Sequence, residues 1–374
     1  MKILYITNYF YPVKGGVENH IYYYAKELIK KGHQVTVFTS DSSRIDRIKK
    51  KFEIIDKIKV RRFKTKFKIG NFGVFFPGIF KAVKENNFDI INVHVYRHLS
   101  NFIPFFTNKP CLLTPHWPNY PKQVRGNLNY FLVNLFDMLF GKTILNRYKK
   151  LLMVSGLEEK WFGDKFDINK NKFELTPNGI PKDYLKKRNS NNFRKKLKIN
   201  KNEIMVLMLS RIHQSKGFDQ VVKIAKYFPK GKFVIAGIDG GFREDLEILT
   251  KNLNLKNVIF TGELQDEEKL EAYAAADIFV HPSHYEAFGI VVLEAFSQNC
   301  AVLTSNQGGL PWVVGNAGLT FRDNNLQDLR NKLDKLVKNK NLRNKLSKLG
   351  RKKAEKFTYE KIVNDVEKIY KKVV

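Results

Sequence analysis

Cysteine is scarce in this 374-residue chain: there are two, Cys111 and Cys300, and neither has a CxxC partner. That spacing argues against a disulfide framework and a thiolate zinc site, and leaves two reduced core thiols as the expectation. A long apolar run is also missing. The opening MKILYIT has no stretch of signal-peptide length. The most apolar later stretch, 128–145, is broken by Asn134, Asp137, Gly141 and Lys142. A soluble, cytoplasmic protein is expected. Acids are few beside bases, 36 Asp+Glu against 67 Lys+Arg, giving +31. The deficit is uneven: residues 235–300 hold 12 acids and four bases, so that segment carries −8 and the remainder +39. Such a field attracts polyanions, either nucleic acid or an anionic membrane surface. Solvated lysine-rich faces are the plainer reading, and charge does not choose between them.

What the chain does have is alternation. Short β-branched runs at 2–7, 34–39, 89–94, 111–114, 151–154 and 173–176 read as strands, as do 204–210, 232–236, 258–261, 278–281 and 301–304. Helical patterns such as 17–31, 218–227, 269–275 and 289–297 lie between them. Continuous apolar strands between helices imply parallel sheets covered on both faces, an α/β architecture of two doubly wound, Rossmann-like domains. The polar, basic stretch 181–203 interrupts the alternation and reads as a linker. The expected division is an N-terminal domain at 1–180, the linker, a C-terminal domain at 204–356 and a last helix within 357–374. Ligands bind outside the carboxyl ends of parallel strands, so a cleft between facing domains is the expected site.

Three segments carry chemistry. Gly15-Gly16 follows the first strand and opens a helix, where backbone amides can approach an anion; alone it is equally an ordinary turn. Arg211 and Lys216, in SRIHQSKG after strand 204–210, place two cations at a strand's carboxyl end. Fixed cations there stabilise the charge that develops on a departing diphosphate. The third segment, HPSHYEAFGIVVLEA (281–295), runs strand, loop, helix, with Glu286 on the loop and Glu294 in the helix. The amides of Ala287, Phe288, Gly289 and Ile290 are expected as open donors for sugar hydroxyls or phosphate oxygens. Eight helical residues rise roughly 12 Å. A retaining glycosidase pair stands roughly 5 Å apart and an inverting pair roughly 6.5–9.5 Å. The two glutamates therefore read as grips on opposite ends of one long ligand, or, more plainly, as a helix-start acid and a partner for a surface cation.

Taken in order, these residues resemble the retaining glycosyltransferases of family 4, with the GT-B fold. The E-x7-E pattern is matched by Glu286…Glu294, and the G/S-R-L-x-x-x-K-G pattern by SRIHQSKG. Gly15-Gly16, Asn178-Gly179-Ile180 and Gly308-Gly309-Leu310-Pro311 also fit, so the resemblance spans nearly the whole chain. It implies a nucleotide-diphosphate sugar donor, no cofactor, no metal in the reaction, and retained anomeric configuration. It further implies that Arg211 and Lys216 bind the diphosphate, Glu286 and the amides after it the sugar, and Glu294 the ribose. Gly16 would let substrates approach the first loop, His116 in TPHWP would lie near the sugar, and Leu264 would meet the base. Trp312 departs from the family, which often has Glu there, and Lys149-Lys150 stand where an Asp usually opens the strand.

The mechanism this implies is front-face displacement, with the leaving oxygen taking the acceptor proton. The aromatic, basic segments 67–80 and 128–145 suit an anionic bilayer and a lipid-linked or cell-surface glycan acceptor, with the enzyme peripheral on the inner face; core helices are the alternative. A nucleic-acid-binding protein would explain the charge but leaves both motifs without purpose, and no RNA-binding signature is present. A GT-B-fold phosphorylase or epimerase, or a GT-B enzyme using a soluble acceptor, is a further alternative; a phosphorylase would need a longer chain and a pyridoxal lysine.

Overall fold

The computed structural model describes residues 1–13, 15–43, 46–68, 73–116, 119, 122 and 126–374. The apolar runs form two sheets. In the first, β1 (Lys2–Ile6), β2 (Gln34–Ser40), β3 (Phe52–Ile55) and β4 (Ile58–Phe63) join β7 (Ile90–His94), β8 (Cys111–Thr114), β9 (Lys150–Met153) and β10 (Phe173–Leu175). The order is β10-β9-β8-β7-β1-β2-β4-β3, parallel except for the β3–β4 hairpin. A separate ribbon pairs β5 (Phe67–Lys68) with β6 (Val74–Phe75). The second sheet is parallel throughout: β11 (Ile204–Leu209), β12 (Gly231–Ala236), β13 (Val258–Gly262), β14 (Ile278–His281), β15 (Ala301–Ser305) and β16 (Leu319–Phe321), ordered β13-β12-β11-β14-β15-β16. Central strands such as Ile3–Ile6 and Met205–Met208 are sealed, as strands covered on both faces must be.

The chain divides into two units, Met1–Gly179 with Tyr359–Val374, and Ile180–Thr358. The first unit's helices are α1 (Gly16–Lys30), α2 (Gly78–Glu85), α3 (Asn127–Phe136), α4 (Lys142–Arg147) and α5 (Gly156–Phe166). The second unit contains α6 (Ser190–Lys196), α7 (Phe218–Ala225), α8 (Arg243–Asn252), α9 (Asp266–Ala275), α10 (Ile290–Ser297), α11 (Leu310–Val314), α12 (Leu326–Lys338) and α13 (Lys340–Ala354). The last helix, α14 (Tyr359–Val373), belongs to the first unit. Tyr359 stacks on Tyr23, the Tyr370 hydroxyl lies 3.3 Å from that of Tyr5, and Glu367 pairs with Lys31.

Two expectations are corrected here. The stretch 181–203 is not a linker: α6 packs on α9, and Arg194 donates to the Ala275 carbonyl and pairs with Asp277 at 2.6 Å. The polar sequence is the solvated face of an element whose Phe193 is buried. The segments 67–80 and 128–145 also part company. In the first, Val74, Phe76 and Ile79 enter the core, while residues 69–72 lie outside the described residues. In the second, α3 continues through a π turn (Asp137–Gly141) into α4, and only one side is buried. Leu128, Phe131, Leu132, Met138, Leu139 and Phe140 are exposed, Met138 by 74%. Among the described residues no helix is long and apolar enough to cross a membrane.

Candidate active site

In the second unit the winding reverses between β11 and β14, which are neighbours with β12 and β15 on their far sides. A crevice forms outside strand ends at such a reversal, and the motif residues sit there. Arg211 follows β11, is exposed, and lies over Gly240, whose added Cβ would stand 2.9 Å from its Cδ and Cγ. Lys216 closes the same loop. Gly217 is left-handed (φ 64°) and leaves no room for a side chain, since a Cβ would come 2.3 Å from the Pro282 carbonyl oxygen. The loop after β11 is thereby seated on the loop after β14.

That contact joins the motifs. Lys216 Nζ lies 2.5 Å from Glu286 Oε1, and His281 Nε2, at the end of β14, lies 2.9 Å from the same oxygen. The Lys216 and Glu286 side chains are 22% and 20% exposed, so the pair is shielded yet reachable. Burial raises the Glu286 carboxyl, but Lys216 and His281 outweigh it and hold it well below the usual carboxylate range. An ionised acceptor is thus fixed beside a cation.

The backbone around Glu286 is shaped by glycine. Gly308 (φ 56°) and Gly309 press on it: their added Cβ atoms would fall 1.9 Å from the Glu286 carbonyl oxygen and 2.3 Å from that of Ala287. The Gly309 amide donates to the Glu286 carbonyl at 2.8 Å. Gly289 is left-handed (φ 93°) and precedes α10. The amides of Ala287, Phe288, Gly289 and Ile290 find no backbone acceptor among the described turns and caps. Four such donors at a helix start favour an anion or hydroxyl oxygens.

Glu294 is elsewhere in character. It is buried in α10, 3.0 Å from Lys269 Nζ, and accepts from the Tyr273 hydroxyl at 3.1 Å. Burial lowers Lys269, but Glu294 outweighs this and raises it. The two glutamates therefore have separate partners, and neither shares the other's charge. Leu264, half-buried, lies between β13 and α9. Trp312 packs beside Phe288 and Phe357, with ring centroids 6.0 and 5.9 Å away, so the departure from the family's Glu fills an aromatic cluster.

The first unit repeats the logic. Its winding reverses between β1 and β7. Gly15 is the extended residue before α1, and Gly16, its first residue, is exposed, with nothing within 4 Å of an added Cβ. His116, just after β8, is buried and left-handed (φ 56°). Its Nε2 is 3.1 Å from Nδ1 of His94, the last residue of β7. His20 of α1 packs edge-on to both, with centroids 5.7 and 5.0 Å away. Burial pushes His116 down to about 3 and lowers His94 and His20 too, so all three are neutral near pH 7.

Both units match known families. The glycosyl transferases group 1 model covers residues 189–353, and the Glycosyltransferase Family 4 model covers 14–184. The chain belongs to the family 4 glycosyltransferases. This transferase is 25% identical, over its whole length and 99% of the relative's, to an uncharacterized glycosyltransferase of Methanocaldococcus jannaschii. It is 24% identical to the GPI3 subunit of phosphatidylinositol N-acetylglucosaminyltransferase from Saccharomyces cerevisiae, over 91% of this chain and 76% of that protein. Its fold matches sucrose-phosphate synthase from Thermosynechococcus elongatus with a TM-score of 0.82 at 22% identity, covering 99% and 98% of the two chains. Anabaena HepE, solved with UDP and glucose, matches over both full chains at 0.78 and 17%. The fold is GT-B, two Rossmann-like domains.

Within the transferase, Lys216, Glu286 and the amides 287–290 are brought together, with Arg211 at the head of the same loop. Three groups escaped the sequence reading. His281 was within the quoted motif, and its place at a strand end was the available signal. The loop Gly237–Gly241 packs under Arg211, where a Cβ on Gly237 (φ 139°) would fall 1.9 Å from the Ser210 carbonyl oxygen. His20 and His94 carry no sequence signal of meeting His116.

Proposed function

We propose that this glycosyltransferase moves a sugar from a nucleoside-diphosphate donor to an acceptor hydroxyl with retention of configuration and without a metal ion. The observation that carries the reading is the Lys216–Glu286–His281 group at the mouth of β11 and β14, followed in the chain by the helix-start amides of Ala287–Ile290. Arg211 and Lys216 supply positive charge to the diphosphate as it departs, the role a metal ion fills elsewhere. Glu286 and the amides of Ala287–Ile290 hold sugar hydroxyls. Glu294 meets the ribose hydroxyls and Leu264 the base, while Gly15 and Gly16 admit the substrates. His116, neutral at physiological pH, acts on the sugar as a hydrogen-bonding group and not as a proton carrier. The bond from the anomeric carbon to the diphosphate breaks as the acceptor oxygen bonds on the same face. The acceptor proton passes to a leaving phosphate oxygen, so no protein base is needed.

The acceptor reading is a lipid-linked glycan at an anionic membrane surface. Two observations support it. The exposed stripe Leu128, Phe131, Leu132, Met138, Leu139 and Phe140 far exceeds scattered surface apolarity, and bases stand over aromatic rings around it: Arg147 over Phe105 at 4.9 Å and Lys84 over Phe106 at 5.6 Å. A cavity of about 240 Å³, lined by Val74, Phe75, Leu99, Leu132, Val133 and Phe136, adjoins that helix. The relative named for phosphatidylinositol N-acetylglucosaminyl transfer is in keeping with such an acceptor. The test is turnover of Arg211→Ala and Lys216→Ala with the product's anomeric configuration read by NMR. Near-wild-type turnover in both, or an inverted product, defeats the donor reading. Activity lost to chelation and restored by a divalent ion defeats the metal-free part.

A further inference from the structure

Three imidazoles, of His20, His94 and His116, each offer a ring nitrogen, and these lie within 4.8 Å of one another. A metal triad steadies its imidazoles through hydrogen bonds to their outer nitrogens. Here Nε2 of His94 is sealed from solvent with no hydrogen-bond partner among the described residues, and His20, sealed as well, has only the Asn178 side chain beside it and makes no hydrogen bond of ordinary geometry. That pattern fits a hydrogen-bond device better than a cation centre.

The device is built deliberately. The loop after β7 is tied to the strand end of β8: the Val95 amide donates to the Thr114 carbonyl at 2.9 Å, and the Tyr96 amide to the Pro115 carbonyl at 3.3 Å. Three residues there are left-handed without being glycine: Val95 (φ 71°), Arg97 (φ 69°) and His116 (φ 56°). A β-branched residue in that region is strained, and strain of this kind persists where the surroundings hold a functional geometry. Its result is to set His94 Nδ1 against His116 Nε2, with Tyr5 edge-on to His94 at 5.1 Å and His20 closing the other side.

A neutral imidazole carries one proton, so the 3.1 Å bond between two neutral rings ties their tautomers together. Two arrangements exist. In one, His116 Nε2–H donates to His94 Nδ1, which leaves a proton on His94 Nε2 with nowhere to donate. In the other, His94 Nδ1–H donates to His116 Nε2, which leaves His94 Nε2 a bare lone pair and puts the His116 proton on Nδ1. A sealed donor without an acceptor is the rarer and costlier of the two faults. His116 Nδ1 is not among the sealed, unpartnered nitrogens, so a proton there can meet solvent or substrate.

We infer that His94 is a positioning residue that fixes His116 as the Nδ1–H tautomer, presenting a hydrogen-bond donor to a hydroxyl oxygen of the transferred sugar. The tautomer stands on the geometry of two buried, neutral rings; its use rests on the proposed contact of His116 with the donor sugar. His94 itself touches no substrate.

Nitrogen-15 NMR of histidine-labelled full-length protein at pH 7 reads the tautomer directly. The expected result is a protonated Nδ1 and a bare Nε2 on His116; the reverse assignment overturns the inference whatever the activity. Asparagine can place an amide N–H where His94 Nδ1–H stood, whereas leucine cannot. His94→Leu is expected to raise KM or lower kcat so that kcat/KM falls about 3- to 10-fold, the net worth of one neutral hydrogen bond, with His94→Asn recovering most of it. Equal losses in Asn and Leu variants of unchanged Tm overturn the positioning role. A wild-type tautomer as inferred, together with full turnover of His116→Ala, overturns the proposed sugar contact and leaves the tautomer standing.

Discussion

Replacing Lys216 by methionine removes a charge and keeps most of the stem. In the intact protein the ammonium stands 2.5 Å from Glu286 Oε1, and His281 Nε2 holds the same oxygen at 2.9 Å. Stripping one partner from a fully buried ion pair costs about 3–5 kcal/mol. Here both side chains keep about a fifth of their surface, His281 remains bonded, and the carboxyl can take up a proton. About 1–2 kcal/mol of stability loss is therefore expected, a fall in Tm of about 2–8 °C for a unit of this size. The kinetic cost is larger. Losing one preorganised contact to developing charge lowers kcat about 10²–10³-fold, some 3–4 kcal/mol of barrier. The variant also exposes a sign. Glu286 is held low, so the native pair's stability is present above the unfolded carboxyl pKa, about 4.3, and is lost as pH falls through the lower folded value. Without Lys216 only His281 opposes burial, so that carboxyl rises from its native value. The kcat/KM of Lys216→Met then falls on acidification over a range where the wild type is flat. Adding Glu286→Gln to Lys216→Met removes the stranded charge, and is expected to restore Tm but not turnover. Thermal unfolding by circular dichroism and donor-cleavage rates from pH 5 to 8 measure both. Turnover within tenfold of wild type, or a double variant that recovers activity, removes Lys216 from the diphosphate contact.

Other outcomes follow from the same geometry. Gly308→Ala places a Cβ 1.9 Å from the Glu286 carbonyl oxygen and should lower Tm together with turnover, whereas Gly16→Ala, with open space around its Cβ, should leave Tm unchanged and affect donor or acceptor KM alone. Glu294→Gln leaves Lys269 with only the exposed Asp266 at 3.6 Å and the Tyr184 hydroxyl at 3.3 Å; KM for the donor should rise with kcat little changed, and an unaltered KM removes Glu294 from the ribose contact. Leu128→Ser, Phe131→Ser and Met138→Ser combined should abolish co-sedimentation with anionic liposomes at low salt while Tm holds, since these side chains are exposed; undiminished binding would remove the stripe from the membrane reading.

Sequence alone made the strands legible wherever burial covered both faces. Cys111–Thr114 and Ile278–His281 carry the boundaries read from their apolar runs. The strands it missed in the two sheets lie at or beside an edge, and the ribbon strands Phe67–Lys68 and Val74–Phe75 are too short to show a period. Phe52–Ile55 and Ile58–Phe63 form an antiparallel edge hairpin whose charged residues Glu53, Lys59, Arg61 and Arg62 dilute the apolar pattern, and Leu319–Phe321 is too short for periodicity. Helix Ser190–Lys196 was hidden because only Phe193 of its seven residues is buried. At the site, Lys216 and Glu286 could be read because each stands beside a motif at a strand's carboxyl end. Their direct pairing could not, because Gly217 and Pro282 meet through the fold. The histidine trio is the same case: His20, His94 and His116 come from a helix and two strand ends, and sequence spacing holds no trace of it.

The central claim is that a nucleotide sugar is the donor. Its most direct measurement is nucleoside-diphosphate release from UDP-, GDP- and ADP-sugars by the full-length protein, with Lys216→Met alongside. At least one donor is expected to be cleaved with the anomeric configuration of the sugar retained, and the variant to lose about 10²–10³-fold of that rate. Folded protein that cleaves none of the three, or that cleaves one equally well without Lys216, contradicts this expectation.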